Sequence, residues 1–168
     1  LALIIIALIV VAIAAYCVWA MRNERRIEET VRIEAPAHEV WTVLTDFPSY
    51  GEWNPTITSI EGVLAEGERL DVAVTMPSGW SNRFRPSVLR VSPARQFRWL
   101  GRLGPGGVFD GEHYFVLEPQ DDDSTRFTQG ERFTGVLVPL MKRVFADTEQ
   151  GFTAMNAALI ERVAASRR

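Results

Sequence analysis

VPLMKRVFADTEQGFTAMNAALIERVAA, residues 138–165, carries the pattern that decides the fold class. Leu140, Met141, Val144, Phe145, Phe152, Met155, Asn156, Leu159, Ile160 and Val163 recur at spacings of three and four. That period puts them on one side of a helix. Pro139 stands where a helix start tolerates a missing N–H. Gly151 falls inside the run and weakens a helix by about 1 kcal/mol relative to Ala. The spacing predicts one long amphipathic helix over about 138–165, whose apolar side needs a partner surface.

The residues before it supply that surface. Ile27, Glu29, Val31 and Ile33 alternate with Glu28, Thr30, Arg32 and Glu34, the two-residue period of a strand. Ala35-Pro36-Ala37 ends it, and Val40, Trp41, Val43 and Leu44 follow at helical spacing to about Asp46. Phe47-Pro48-Ser49-Tyr50 begins a second short helical turn, closed by Trp53-Asn54-Pro55. Strands are then predicted over about 57–61, 70–76, 80–92, 96–101, 108–118 and 124–133, separated by short Gly, Pro and Asp turns. The 80–92 strand contains Pro86, which removes a ladder donor and places a bend or an edge there. Short connections between strands predict antiparallel neighbours. Seven strands, two short helices after the first and one long terminal helix read as α+β, a curved sheet covered by the last helix.

At the other end of the chain, Leu1 to Met21 contains no charged residue. A helix of that length spans roughly 31 Å, the thickness of a bilayer's hydrocarbon core. Tyr16 and Trp19 lie near its end, where amphipathic rings favour the interface, and Arg22, Arg25 and Arg26 follow. We read residues 1–21 as a single-pass membrane anchor, 22–28 as a juxtamembrane segment and 29–168 as one domain, on the cytoplasmic side by the arginines. A cleaved signal peptide is the competing reading, against which stand the bulky residues at 16, 18, 19 and 21.

Charge and composition exclude several classes. The chain has 18 basic and 21 acidic residues, with no basic excess to hold a nucleic acid. Apolar residues make up 47%, enough for a core, so a disordered chain is excluded. The one cysteine, Cys17, allows no intrachain disulfide and no cysteine zinc site, and His38 and His113 are the only histidines. No metal or cofactor is expected. Gly104–Gly107 lacks the Lys-Ser/Thr of a phosphate loop and leads into a strand.

Three stretches resemble the SRPBCC superfamily, also called START or Bet v 1-like, in its polyketide cyclase/dehydratase-like subgroup. They are Ile33-Glu34-Ala35-Pro36-Ala37-His38-Glu39-Val40-Trp41 running on to Trp53-Asn54-Pro55, Phe109 to Pro119, and Thr125 to Phe133 with the helix after it. The resemblance implies a helix-grip fold, a seven-stranded sheet wrapped round the C-terminal helix with a cavity between them. It also implies an apolar ligand such as a lipid, sterol or polyketide, and leaves the activity open, since one fold hosts many functions.

Within that frame the two strands around Pro119–Asp123 hold the chemistry. If Leu117 pairs with Phe127, then Phe115 meets Gln129 and His113 meets Glu131. His113 and Glu131 are the candidate acid–base pair; a buried structural pair is the alternative. Trp53, Phe84, Trp99, Phe115, Gln129, Phe133, Phe152 and Met155 are the candidate ligand-binding walls. The leading expectation is a membrane-anchored domain that binds a hydrophobic small molecule without transforming it. A cyclase or dehydratase using His113 and Glu131, and a filled-core interaction module, are the alternatives.

Overall fold

In the computed structural model, which describes residues 1–168, helix α1 (Ala2–Arg22) leads into strand β1 (Arg25–Ile33). Helix α2 (Ala37–Thr45), a 3₁₀ turn (Phe47–Ser49) and the short helix α3 (Tyr50–Trp53) follow. Next come strands β2 (Ile57–Glu61), β3 (Asp71–Thr75), β4 (Ser81–Phe84), β5 (Ser87–Ser92), β6 (Gln96–Leu103), β7 (Phe109–Pro119) and β8 (Thr125–Thr134). A second 3₁₀ turn (Val138–Leu140) precedes helix α4 (Lys142–Ser166). The architecture is α+β, with the long helix held against antiparallel sheet as the periodicity requires.

The sheet itself corrects the expectation of seven strands in one layer. Five strands pair in the order β1-β8-β7-β6-β5, and three form a separate sheet, β2-β3-β4. The stretch 80–92 is two strands, because Pro86 has no N–H to continue the ladder. β4 stays with β3, whereas β5 crosses to β6. The two sheets remain joined at this corner: Leu70 N–H donates to Pro86 O at 3.0 Å and Val88 N–H to Glu68 O at 2.8 Å. β1 begins at Arg25, inside the stretch read as juxtamembrane. Its first two residues are exposed, so apolar alternation leaves no mark on them.

α4 is about 38 Å long at 1.5 Å per residue and turns Phe145, Thr148, Phe152, Met155, Asn156, Leu159 and Val163 inward. The 3₁₀ turn takes up Pro139, buries Val138 and leaves Leu140 69% exposed, which removes Leu140 from the expected apolar stripe. Gly151 has a packing reason. A Cβ there would stand 3.1 Å from Thr56 Cγ2, and Thr56 Oγ1 donates to Gly151 O at 3.2 Å. The helix therefore approaches the residue before β2 so closely that a side chain at 151 would have to displace Thr56 by a few tenths of an ångström.

Two apolar clusters flank α4. The larger gathers residues such as Val40, Leu44, Tyr50, Phe97, Phe115, Phe127, Met155 and Leu159. The smaller holds Ile27, Phe133, Val138, Phe145 and Phe152. The cavity described below draws its walls from both.

On the outer face of β7 and β8, the Tyr114 ring crosses Gly130, its partner in the register. Tyr114 Oη donates to Glu28 Oε2 at 2.6 Å, and the Arg98 guanidinium lies 5.0 Å from its ring centroid. A Cβ at Gly130 would fall inside that ring. Gly130→Ala is expected to destabilise the domain by about 1–3 kcal/mol, measured by chemical denaturation, because the ring can move only by breaking both contacts.

Burial, together with the hydrogen bond to Glu28, pushes the Tyr114 phenol up to about 12. A phenol raised above its unfolded value stabilises the fold fully below pH about 10 and loses that contribution as pH rises to about 12. Wild-type stability should therefore fall more steeply between those values than that of Tyr114→Phe, measured by denaturation across the window. Beside it, burial would raise the Glu112 carboxyl, but hydrogen bonds from Arg132 at 2.9 Å and Arg98 at 3.2 Å outweigh burial and hold it below the usual range.

Candidate functional site

The inner faces of β6, β7 and β8 meet α4 and the smaller sheet around a cavity of about 180 Å³. Its inner wall comprises Trp99, His113, Gln129, Phe133 and Phe152, all less than 8% exposed. Its rim carries Trp80 from the β3–β4 hairpin, exposed Asn82, and Arg102 and Leu103 at the end of β6. Val144 and Thr148 of α4 form another side of the cavity.

The expected register is the observed one: Leu117 pairs with Phe127, Phe115 with Gln129 and His113 with Glu131. Alternation sends His113 and Glu131 to the same inner face. His113 Nδ1 lies 3.6 Å from Glu131 Oε2, an ion-pair separation too long for a hydrogen bond. Gln129 Nε2 stands 3.2 Å from His113 Nε2 and donates to Met155 Sδ, also at 3.2 Å. With the Gln129 amide donating to Nε2, the imidazole carries its proton on Nδ1, facing Glu131. Trp99 stacks on the imidazole at 5.1 Å between centroids and Phe152 meets it edge-on at 5.3 Å. Gly111 makes room for the carboxylate, since a Cβ there would collide with Glu131 Oε1.

Gln129 Oε1 is buried without a partner. Left in that state, a buried acceptor costs about 1–3 kcal/mol. Gln129 itself lines the cavity, but this oxygen is closed off from it, so a bound molecule reaches it only if the amide turns.

The structure sorts the candidate walls. Phe84, Trp99, Gln129, Phe133 and Phe152 line the cavity, together with His113 and Glu131. Phe115 and Met155 do not; both are fully buried in the larger apolar cluster. Trp53 lies on α3 against the Tyr50 ring, at 5.0 Å, and also stands outside the cavity. Sequence reasoning missed Trp80, Leu103, Val144 and Thr148. Thr148 precedes Phe152 by four residues, so helical spacing could have found it. Trp80 and Leu103 belong to hairpin ends, where no period applies.

The chemical repertoire is narrow. One imidazole and one carboxylate can exchange a proton with a bound molecule. No group of three His, Cys, Asp or Glu side chains is placed to hold a metal ion.

A sheet folded against a C-terminal helix with an apolar cavity between them defines a helix-grip protein. The chain belongs to the family described as polyketide cyclase/dehydrase and lipid transport, whose model matches residues 24–166. Among solved structures it is similar to the Zhui aromatase/cyclase from a Streptomyces species. That likeness has a TM-score of 0.70 and 20% identity, over 87% of this chain and 97% of that one. It is also similar to a START superfamily protein from Mycobacterium smegmatis, with a TM-score of 0.62 and 24% identity, over 83% of this chain and 97% of the other. At these identities the likeness is one of fold. No curated protein matches the chain.

Proposed function

We propose that the protein is a membrane-anchored helix-grip domain that holds a hydrophobic small molecule, lipid- or polyketide-like, without transforming it. The observation that carries this reading is the cavity, apolar on most of its wall. Its size narrows the ligand. A cavity of 180 Å³ encloses about one ring or a short acyl segment, since roughly 150 Å³ suffices for benzene. A larger molecule would project through the mouth. The anchor reading is supported by α1, which is long and apolar enough to cross a bilayer and whose apolar side chains are exposed rather than packed into a core. The arginines that follow it favour the cytoplasmic side.

A second reading, a cyclase or dehydratase, is favoured by one observation: a buried His113 whose Nδ1 stands 3.6 Å from Glu131 Oε2. The two diverge at His113→Ala. A binding domain keeps its ligand affinity within a few-fold, whereas an enzyme keeps binding but loses turnover.

Photolabelling tests the proposal on the whole chain. Membranes carrying the protein are incubated with a diazirine-bearing fatty acid, irradiated and digested. Label is expected on peptides from β6 to β8 or α4 as well as on α1. Label confined to α1, as any membrane helix would acquire, contradicts a ligand cavity.

A further inference from the structure

The end of the domain that holds the cavity mouth is also the end tied to α1. Tyr16 Oη, six residues before the end of α1, donates to Val136 O at 3.0 Å. Val136 N–H donates to Gly107 O at 2.9 Å, and Leu137 N–H to Val108 O at 3.0 Å. These bonds fasten the segment after β8 to the β6–β7 hairpin, in which Leu103, the last residue of β6, belongs to the cavity rim. The β3–β4 hairpin, bearing Trp80, is tied to the same end of α4 by Ser78 Oγ donating to Asp147 Oδ2 at 2.7 Å. Trp19 of α1 borders a surface groove with Val138, Pro139 and Lys142.

Exposed apolar side chains gather at this end, beside two unpaired cations. Leu140, Leu103 and Trp80 are 69%, 58% and 54% exposed. Lys142 and Arg143, which follow Leu140 after Met141, are exposed and have no acidic side chain within ion-pair distance, in contrast to Arg25, which pairs with Glu149 at 3.0 Å. Six residues of helix span about 9 Å. With Tyr16 and Trp19 at the interface, Val136 to Leu140 therefore lie at headgroup depth. Apolar tips flanked by lysine and arginine suit that layer, where the side chains bury in the acyl boundary and the cations meet phosphates.

We propose that this end is a bilayer-docking surface, with Leu140 and Leu103 inserted beside the anchor, so that the cavity mouth opens onto the membrane and takes its ligand from it. The inference rests on the anchor reading and goes beyond it, because an anchor alone could leave the domain free above the surface. The occupant of the docking surface is the phospholipid of the bilayer that α1 spans.

The test uses the full chain with Cys17→Ser and one new cysteine, Leu140→Cys, Leu103→Cys or Val63→Cys, each carrying a polarity-sensitive fluorophore. Val63 is exposed in the β2–β3 connection, at the opposite end of β3 from the mouth hairpin. The variants are reconstituted in phosphatidylcholine vesicles that contain phosphatidylcholine spin-labelled near the headgroup. Probes at 140 and 103 are expected to shift to the blue and to be quenched several-fold more than the probe at 63. Protein that resists alkaline carbonate extraction but shows all three probes equally wet overturns the docking surface and spares the anchor. Protein that washes off the vesicles overturns both.

Discussion

Phe115→Ala should destabilise the domain by about 3–5 kcal/mol, the range for removing a fully buried ring that its surroundings cannot close over. Phe115 has no exposure and sits on β7, the middle strand of the five-stranded sheet. Its ring centroid lies 4.6 Å from Phe97, 4.6 Å from His113, 5.6 Å from Trp99 and 6.1 Å from Phe127. Those neighbours are held by strand pairing on both sides, so the gap stays open. Against a total stability of about 5–15 kcal/mol, the loss leaves the fold marginal. Denaturant titration of wild type and variant measures it. A loss below about 1 kcal/mol would mean that the aromatic layer is loosely packed.

Thr148→Phe should lower the affinity for an apolar ligand by at least about tenfold, or about 1.4 kcal/mol. Thr148 is 3% exposed, points into the cavity from α4, and bonds only to the helical carbonyl of Val144 at 2.8 Å. Its hydroxyl can therefore be removed without stranding a partner, and a phenyl ring would occupy much of 180 Å³. Displacement of a bound fluorescent fatty acid reads the effect. Unchanged affinity would place the ligand elsewhere. Stability should fall by no more than about 1–3 kcal/mol, since the ring enters a void.

The contrast between Phe115 and Phe133 explains how much of the site was legible in the sequence. Alternation assigned both, with His113, to the inner face, and the register that pairs His113 with Glu131 followed from one hairpin turn. What alternation does not encode is position along the sheet. Phe115 is closed in by Phe97, Trp99 and Phe127 of its own sheet, and Phe133, 5.1 Å from Phe145 of α4, borders the cavity. Position along the sheet depends on which rings meet across strands, and no two-residue period carries it. Trp53 was misplaced for a related reason, because α3 has only four residues and no helical face to read.

The strand count shows another limit. Pro86 signalled an interruption, but a missing N–H is equally compatible with an edge, a bulge or a change of sheet. Only the pairing of β5 with β6 and of β4 with β3 distinguishes them. The long helix was the most legible element, because its period repeats over 25 residues. Its start was not, since a 3₁₀ turn absorbed Pro139 and turned Leu140 outward.

Native mass spectrometry of residues 24–168, produced without the apolar helix and kept free of detergent, tests the central claim most directly. The cut preserves all of β1, which starts at Arg25. The account predicts a complex with one apolar molecule, co-purified or acquired from an added medium-chain fatty acid, and its loss in Thr148→Phe. A bare protein mass with and without the fatty acid, for wild type and variant alike, would contradict it.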